Sequence, residues 1–218
     1  MEDSEKRRSE ELIRAHYEEL DRVGYIDRPV DIARNAIDHL VFAMYVSEAV
    51  RSGSINPGTF KQVLRVHTGG PGLTVEKTHT QEHVRAAGWN LLLGALAISA
   101  QAMDRALDEA FGSQPLGRRS ARKPDELSDL EAARGIVYMI RCAFAHDPFN
   151  PRWVCRGPYQ GVFRVAAVGV ELDTRPLNGE RLKPEHHGGV EGYIQLLVFC
   201  LAQLEAQASG SESRPKSG

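Results

Sequence analysis

Apolar side chains recur along most of this chain at spacings of three and four, the period that gathers them on one face of an α-helix. Residues 5–23 read as a charged, solvated helix with a modest stripe of Leu12, Ala15, Leu20 and Val23, ended near Gly24. A clearer helix begins after Pro29, where Val30, Ala33, Ile37, Leu40, Val41, Met44 and Tyr45 share a face opposite Arg34, Asp38 and Glu48. Residues 52–78 read as loop, with a short helix over Thr59–Val66 and a break at GGPG (69–72). A long central helix is expected from about Thr80 to Phe111, and another from Pro124-Asp125-Glu126, with Leu127, Leu130, Ala133, Val137, Ile140 and Phe144 on its core face.

The period changes after Pro148. WVCR (153–156), VFRVAAV (162–168) and GVELDT (169–174) are short, β-branched and broken by glycine, and Leu-Asn-Gly-Glu at 177–180 reads as a tight turn between strands. Helical spacing returns from about Gly189, with Val190, Tyr193, Ile194, Leu197, Val198, Leu201 and Leu204 in one stripe. The prediction is a mainly α protein: a four-helix bundle with a small antiparallel β-hairpin or sheet inserted before the last helix. One domain covers residues 1–208, and 209–218 form a disordered tail by composition.

Composition narrows the functional classes. The 218 residues are 42% hydrophobic and 26% charged with a net charge of −2, so no global basic field announces a nucleic-acid partner. RNA would have to meet a local patch. Three cysteines, Cys142, Cys155 and Cys200, make neither a disulfide framework nor a zinc ribbon. The start, MEDSEKRRSEELIR, lacks the apolar centre of a signal peptide, so a cytoplasmic location is expected. Ala86–Met103 carries no charge and reaches the lower length limit of a membrane span. Its Asn90, Ser99 and Gln101, its two glycines and the charged residues flanking it fit the centre of a bundle instead. No membrane association is expected.

The segment YMIRCAFAHDPFNPRW (138–153) carries the candidate chemistry. Arg141 and His146 are five residues apart, hence about 140° apart on an ideal helix. Pro148 disfavours helical geometry at Asp147, so the helix is expected to stop at or just before His146. An unwound last turn would let the imidazole fold back toward the guanidinium. The helix C-terminus favours both cations. A histidine there can move protons, and an arginine beside it can hold a phosphate. Such a pair suits metal-free RNA cleavage, in which the ribose 2′-hydroxyl attacks the adjacent phosphate.

Arg-x-x-x-x-His at the end of a late helix, in the wording RCAFAHD followed by Pro-x-Trp and a hairpin, resembles the HEPN superfamily. The resemblance spans residues 30–205 in organisation and is specific over Arg141–Asp147. It implies a metal-independent ribonuclease site at a homodimer interface, with Tyr138, Cys142 and Asp147 supporting Arg141 and His146. No cofactor is implied. Active members usually carry a polar residue directly after the arginine, where this chain has Cys142, a poor hydrogen-bonding substitute. The alternative is therefore a catalytically silent interaction or regulatory module, for example with an antitoxin or defence partner.

Weaker signals complete the reading. The loop 113–124 holds Arg118, Arg119, Arg122 and Lys123, which could grip phosphates or simply be solvated. HTQEH (79–83) fits a zincin pattern, but it lacks a third ligand and reads better as a capped helix start. No metal is expected. His186-His187-Gly-Gly reads as a turn with exposed imidazoles; alternatively, it approaches Arg141. Cys142 is expected to be buried and inert, and Trp89 and Trp153 to serve packing.

Overall fold

A computed structural model describes residues 28–56, 80–114, 116 and 122–212. The charged helix expected at 5–23, the short one at 59–66, Arg118 and Arg119 lie outside these residues. Among the described residues the protein is mainly helical, with helices α1 (Pro29–Arg51), α2 (Gln81–Phe111), α3 (Asp129–His146) and α4 (Gly189–Glu212). A two-stranded antiparallel sheet, β1 (Val162–Val165) and β2 (Val170–Asp173), precedes the last helix.

α1 opens with Pro29 in its first turn, where a missing N–H costs nothing. It buries Ala33, Ala36, Leu40, Ala43 and Val50, and its most extensive packing is along α2. Small residues bring the two backbones close: a methyl added at Gly88 would sit 3.3 Å from Val50. α2 starts on a Thr80 cap, with His83 N–H donating to Thr80 Oγ1 at 3.3 Å and Thr80 N–H donating to His83 Nδ1 at 3.4 Å. By length and composition α2 is the one described helix apolar enough to cross a membrane. Here it packs against α1, α3 and α4, with Leu92, Leu96, Ala100, Met103 and Leu107 in the core.

α3 begins later than its sequence suggests. Pro124–Glu126 form a separate 3-10 turn, and Ser128 is the cap, paired reciprocally with Glu131. Proline and acids therefore marked the turn before the helix, while the Ser-x-x-Glu box marks the helix itself. The carboxylate of Asp129 accepts from Ala166 N–H at 3.1 Å and Ala167 N–H at 2.8 Å, which fastens the hairpin turn to the helix start.

The sheet pairs Val162 with Asp173, Phe163 with Leu172, Arg164 with Glu171 and Val165 with Val170. Phe163, Val165, Val170 and Leu172 face the core, while Arg164 and Glu171 pair at the surface. Two expectations are corrected here. Residues 166–168 do not extend the strand but form a 3-10 turn ending at Gly169, whose φ of 66° lets the chain reverse. The turn at 177–180 is present and follows β2, Glu180 N–H donating to Leu177 O at 2.8 Å. It returns the chain so that 151–153 can run beside 179–182, with Trp153 N–H on Glu180 O and Leu182 N–H on Pro151 O. WVCR is accordingly extended without being a strand, Trp153 and Cys155 pointing inward between exposed neighbours.

α4 is entered through two glycines at positive φ, Gly188 just before it and Gly189 as its first residue. It buries Tyr193, Leu196, Leu197, Cys200 and Leu204 and reaches α1 through Arg34 and Glu205 at 2.9 Å. It continues through Glu212, four residues into the stretch expected to be disordered. Ser209 Oγ donates back to Glu205 O at 2.9 Å inside this extension. Trp153 serves packing as expected and is buried; Trp89 does not, being 45% exposed.

Gly135 is the tightest point between helix and sheet. A methyl there would lie 2.7 Å from the ring of Phe163, which is fully buried and cannot swing away. Gly135→Ala is expected to lower stability by about 1–3 kcal/mol through overpacking. Gly94→Ala, at a helical site where an added methyl meets nothing within 4 Å, is expected to raise it by about 0.5–1 kcal/mol. Urea unfolding of the two variants checks the opposite signs.

Candidate functional site

α3 does not unwind before His146. It remains helical through that residue, and Asp147 leaves it in extended geometry (φ −152°, ψ 101°) as the following proline demands. The imidazole therefore does not fold back to Arg141, and the two side chains project about 140° apart around the helix. His146 is exposed in the last turn. The Asp147 carboxylate accepts from Phe149 N–H at 3.0 Å and Asn150 N–H at 3.1 Å, so it closes the turn after the helix.

Arg141 is instead joined to α2. Its Nη1 donates to Asp104 Oδ2 at 2.8 Å, and the guanidinium lies 5.4 Å from the centre of the Tyr138 ring. Asp104 is 1% exposed while the Arg141 side chain is 42% exposed, so a buried anchor holds a cation at the surface. Gln114 donates to the other carboxylate oxygen at 2.8 Å. Burial raises the Asp104 carboxyl above the ordinary aspartate value, with Arg141 opposing it and nearby Asp108 adding to it. Sequence reasoning missed Asp104, because it reads as the charged flank of an apolar run. The signal was its position on the same face as Leu93, Leu96, Ala100 and Leu107.

Aromatic groups border the arginine. Tyr138 stacks on Tyr159 with ring centres 5.2 Å apart and planes at 25°. The Cys142 thiol beside the Tyr138 hydroxyl, followed by burial, pushes that phenol upward. Burial pushes the Tyr159 phenol up further. Cys142 is half-buried rather than buried. The thiols that are buried are Cys155 and Cys200, which desolvation pushes up to about 11 and about 12.

One turn along α2, Arg134 makes a second link between the same helices. Its Nη2 donates to Asp108 at 3.1 Å and to the Gly112 carbonyl, and the guanidinium lies 5.9 Å from the centre of the Phe111 ring. Two cations of the basic loop, Arg122 and Lys123, are among the described residues. Arg122 is paired with Glu131, at 2.5 and 3.0 Å, and with the Glu126 carbonyl. This holds Glu131 down to about 2, against desolvation. Lys123 is exposed. Leu116, from the stretch read as loop, is buried.

The histidine pair before α4 is not an exposed turn. His186 Nδ1 accepts from the buried Trp153 indole at 2.8 Å, and His187 is buried against Tyr193, its imidazole lowered by desolvation to about 4. His83 serves the α2 cap, and His79 lies outside the described residues. Among the described residues no group of three histidine, cysteine or acidic side chains is placed to hold a metal. A groove of about 730 Å³, lined by Val41, Tyr45, Arg51, Arg85, Trp89 and Ile194 among others, draws no residue from α3.

Compared with family models, curated proteins and solved structures, the chain matches none of them.

The folded protein holds the Asp104 proton at a pH where the unfolded chain has already lost it. The stability from this group is complete below the unfolded value and is lost as pH rises through the raised folded value. Removing Arg141 moves the carboxyl further up. Arg141→Ala is expected to cost about 1–3 kcal/mol at neutral pH, less than loss of a fully buried partner because the guanidinium is half in solvent. The loss should shrink as pH falls and Asp104 becomes protonated. Thermal melts of native and variant protein across the acid range measure the convergence.

Proposed function

We propose that the protein is a HEPN-type RNA-binding protein that cleaves RNA without a metal, at a site completed by pairing two copies. The observation that carries this reading is the display on α3 of an anchored, half-exposed Arg141 and an exposed His146 at the helix end. The helical bundle, with its small sheet before the last helix, is compatible with this reading.

The chemistry follows from the separation of the two side chains. With about 140° between them, one copy's arginine and histidine do not converge on one phosphate. A two-fold pairing brings a second imidazole to each arginine. One His146 takes the proton of the ribose 2′-hydroxyl as its oxygen attacks phosphorus. The P–O5′ bond breaks as the partner subunit's His146 protonates the leaving oxygen, leaving a 2′,3′-cyclic phosphate. Arg141 stabilises the negative charge on the non-bridging oxygens. The groups that bind and react are the chain's own.

A second reading has its own support. Arg141 already spends part of its charge on Asp104, and Cys142 stands where active members of the superfamily carry a polar group. Both favour a silent module that recognises an antitoxin or another defence partner.

Cleavage of a labelled single-stranded RNA in excess chelator separates the two. Native protein should cut and leave a cyclic phosphate, and His146→Ala should slow cutting by roughly 100-fold or more. Sedimentation should find a dimer. Cutting that needs a divalent metal, or that His146→Ala leaves intact, overturns the mechanism; no cutting or binding by the native protein leaves the silent module.

A further inference from the structure

Tyr159 reaches the candidate site from outside the helix that bears it. The residue ends the 3-10 turn Gly157–Tyr159, and its backbone is fixed by Thr174, a fully buried residue whose Oγ1 donates to Tyr159 O at 2.7 Å and accepts from Gly161 N–H at 2.9 Å. The turn therefore delivers a ring whose position is set by the sheet insertion. That ring stacks on Tyr138, which in turn lies against the Arg141 guanidinium. Both tyrosines keep part of their surface in solvent. Arg141 spends one nitrogen on Asp104 and has no other hydrogen-bond partner among the described residues.

We propose that Tyr138, Tyr159 and Arg141 form a subsite for single-stranded RNA, the face of Tyr159 turned away from Tyr138 taking a base and Arg141 a phosphate elsewhere on the same strand. The inference rests on the RNA reading above and adds a substrate class to it. An unpaired strand is required because a base stacked within a duplex has no free face to offer, whereas a splayed base can lie on an aromatic ring. The subsite reads no base identity through hydrogen bonds, so it tolerates any sequence. Asp104 acts as a positioning residue. It fixes the guanidinium beside the rings at the cost of some of its charge.

The test measures binding of two fluorescein-labelled oligoribonucleotides to the full chain, one of mixed sequence and one identical but with abasic riboses. Native protein should bind the abasic strand about tenfold more weakly. Tyr159→Leu should lose about tenfold on the mixed strand and nothing on the abasic one, while Tyr159→Phe, which keeps the ring, should bind both as native does. Thermal melting reports whether Tyr159→Leu remains folded; if it does not, the native contrast between strands and the Tyr159→Phe result decide. Equal binding of the two strands by native protein, or equal loss on both by a folded Tyr159→Leu, overturns the subsite and leaves RNA binding standing. Failure of native protein to bind either strand overturns both.

Discussion

A buried carboxylate in the middle of the bundle sets the relation between α2 and α3. Asp104 sits at the end of an uncharged run, where neither water nor backbone donors can satisfy it, and an unpaired charge there would be costly. Arg141 and Gln114 supply the missing donors, one from α3 and one from the chain just beyond α2. A turn further along α2, Asp108 takes Arg134. The two pairs run in opposite order along the helices, which fixes an antiparallel arrangement and its register. Apolar packing alone would tolerate a slip of one turn; two ion pairs, one with a buried acid and one with a buried base, do not.

The sheet insertion braces the same helix as well. It touches α3 at three levels: Asp129 holds the hairpin turn, Gly135 admits Phe163, and Tyr138 meets Tyr159. Each contact belongs to a different chemistry, and together they reach around the helix rather than sharing one face, Asp129 and Tyr138 lying about 180° apart. The insertion is thus clamped along its length. A short two-stranded sheet would be marginal alone, and here its four inward side chains finish the core that the helices began.

Most of the fold was legible because long helices announce themselves by period, and the four helices and the late sheet follow from spacing alone. The errors have physical causes. Pro124 and its acids suit any tight turn entrance, so they mimicked the start that Ser128 and Glu131 make. Trp153 and Cys155 alternate with exposed residues, which is strand-like, yet their segment pairs only briefly with 179–182. The candidate site was half legible. The spacing of Arg141 and His146 could be read, and so could a helix end at His146, but not that the last turn stays wound and keeps the imidazole away from Arg141. Asp104 and Tyr159 lie far from Arg141 in sequence, and no local pattern links them. Side-chain pairs of that kind follow from tertiary packing.

The anchoring of Arg141 bears on any anion it would meet. A free surface arginine has full charge and many rotamers, so binding must order it at a cost of side-chain entropy. Here Asp104 and Tyr138 have done much of that ordering during folding. The remaining charge is smaller, because the partner carboxylate lies 2.8 Å away, and electrostatic attraction at long range is weaker in proportion. What is gained is direction: the unspent donors of a planar guanidinium point from a fixed place. Such a group discriminates by geometry more than by charge, which is consistent with a protein whose net charge is −2 and whose contact with a polyanion would have to be local.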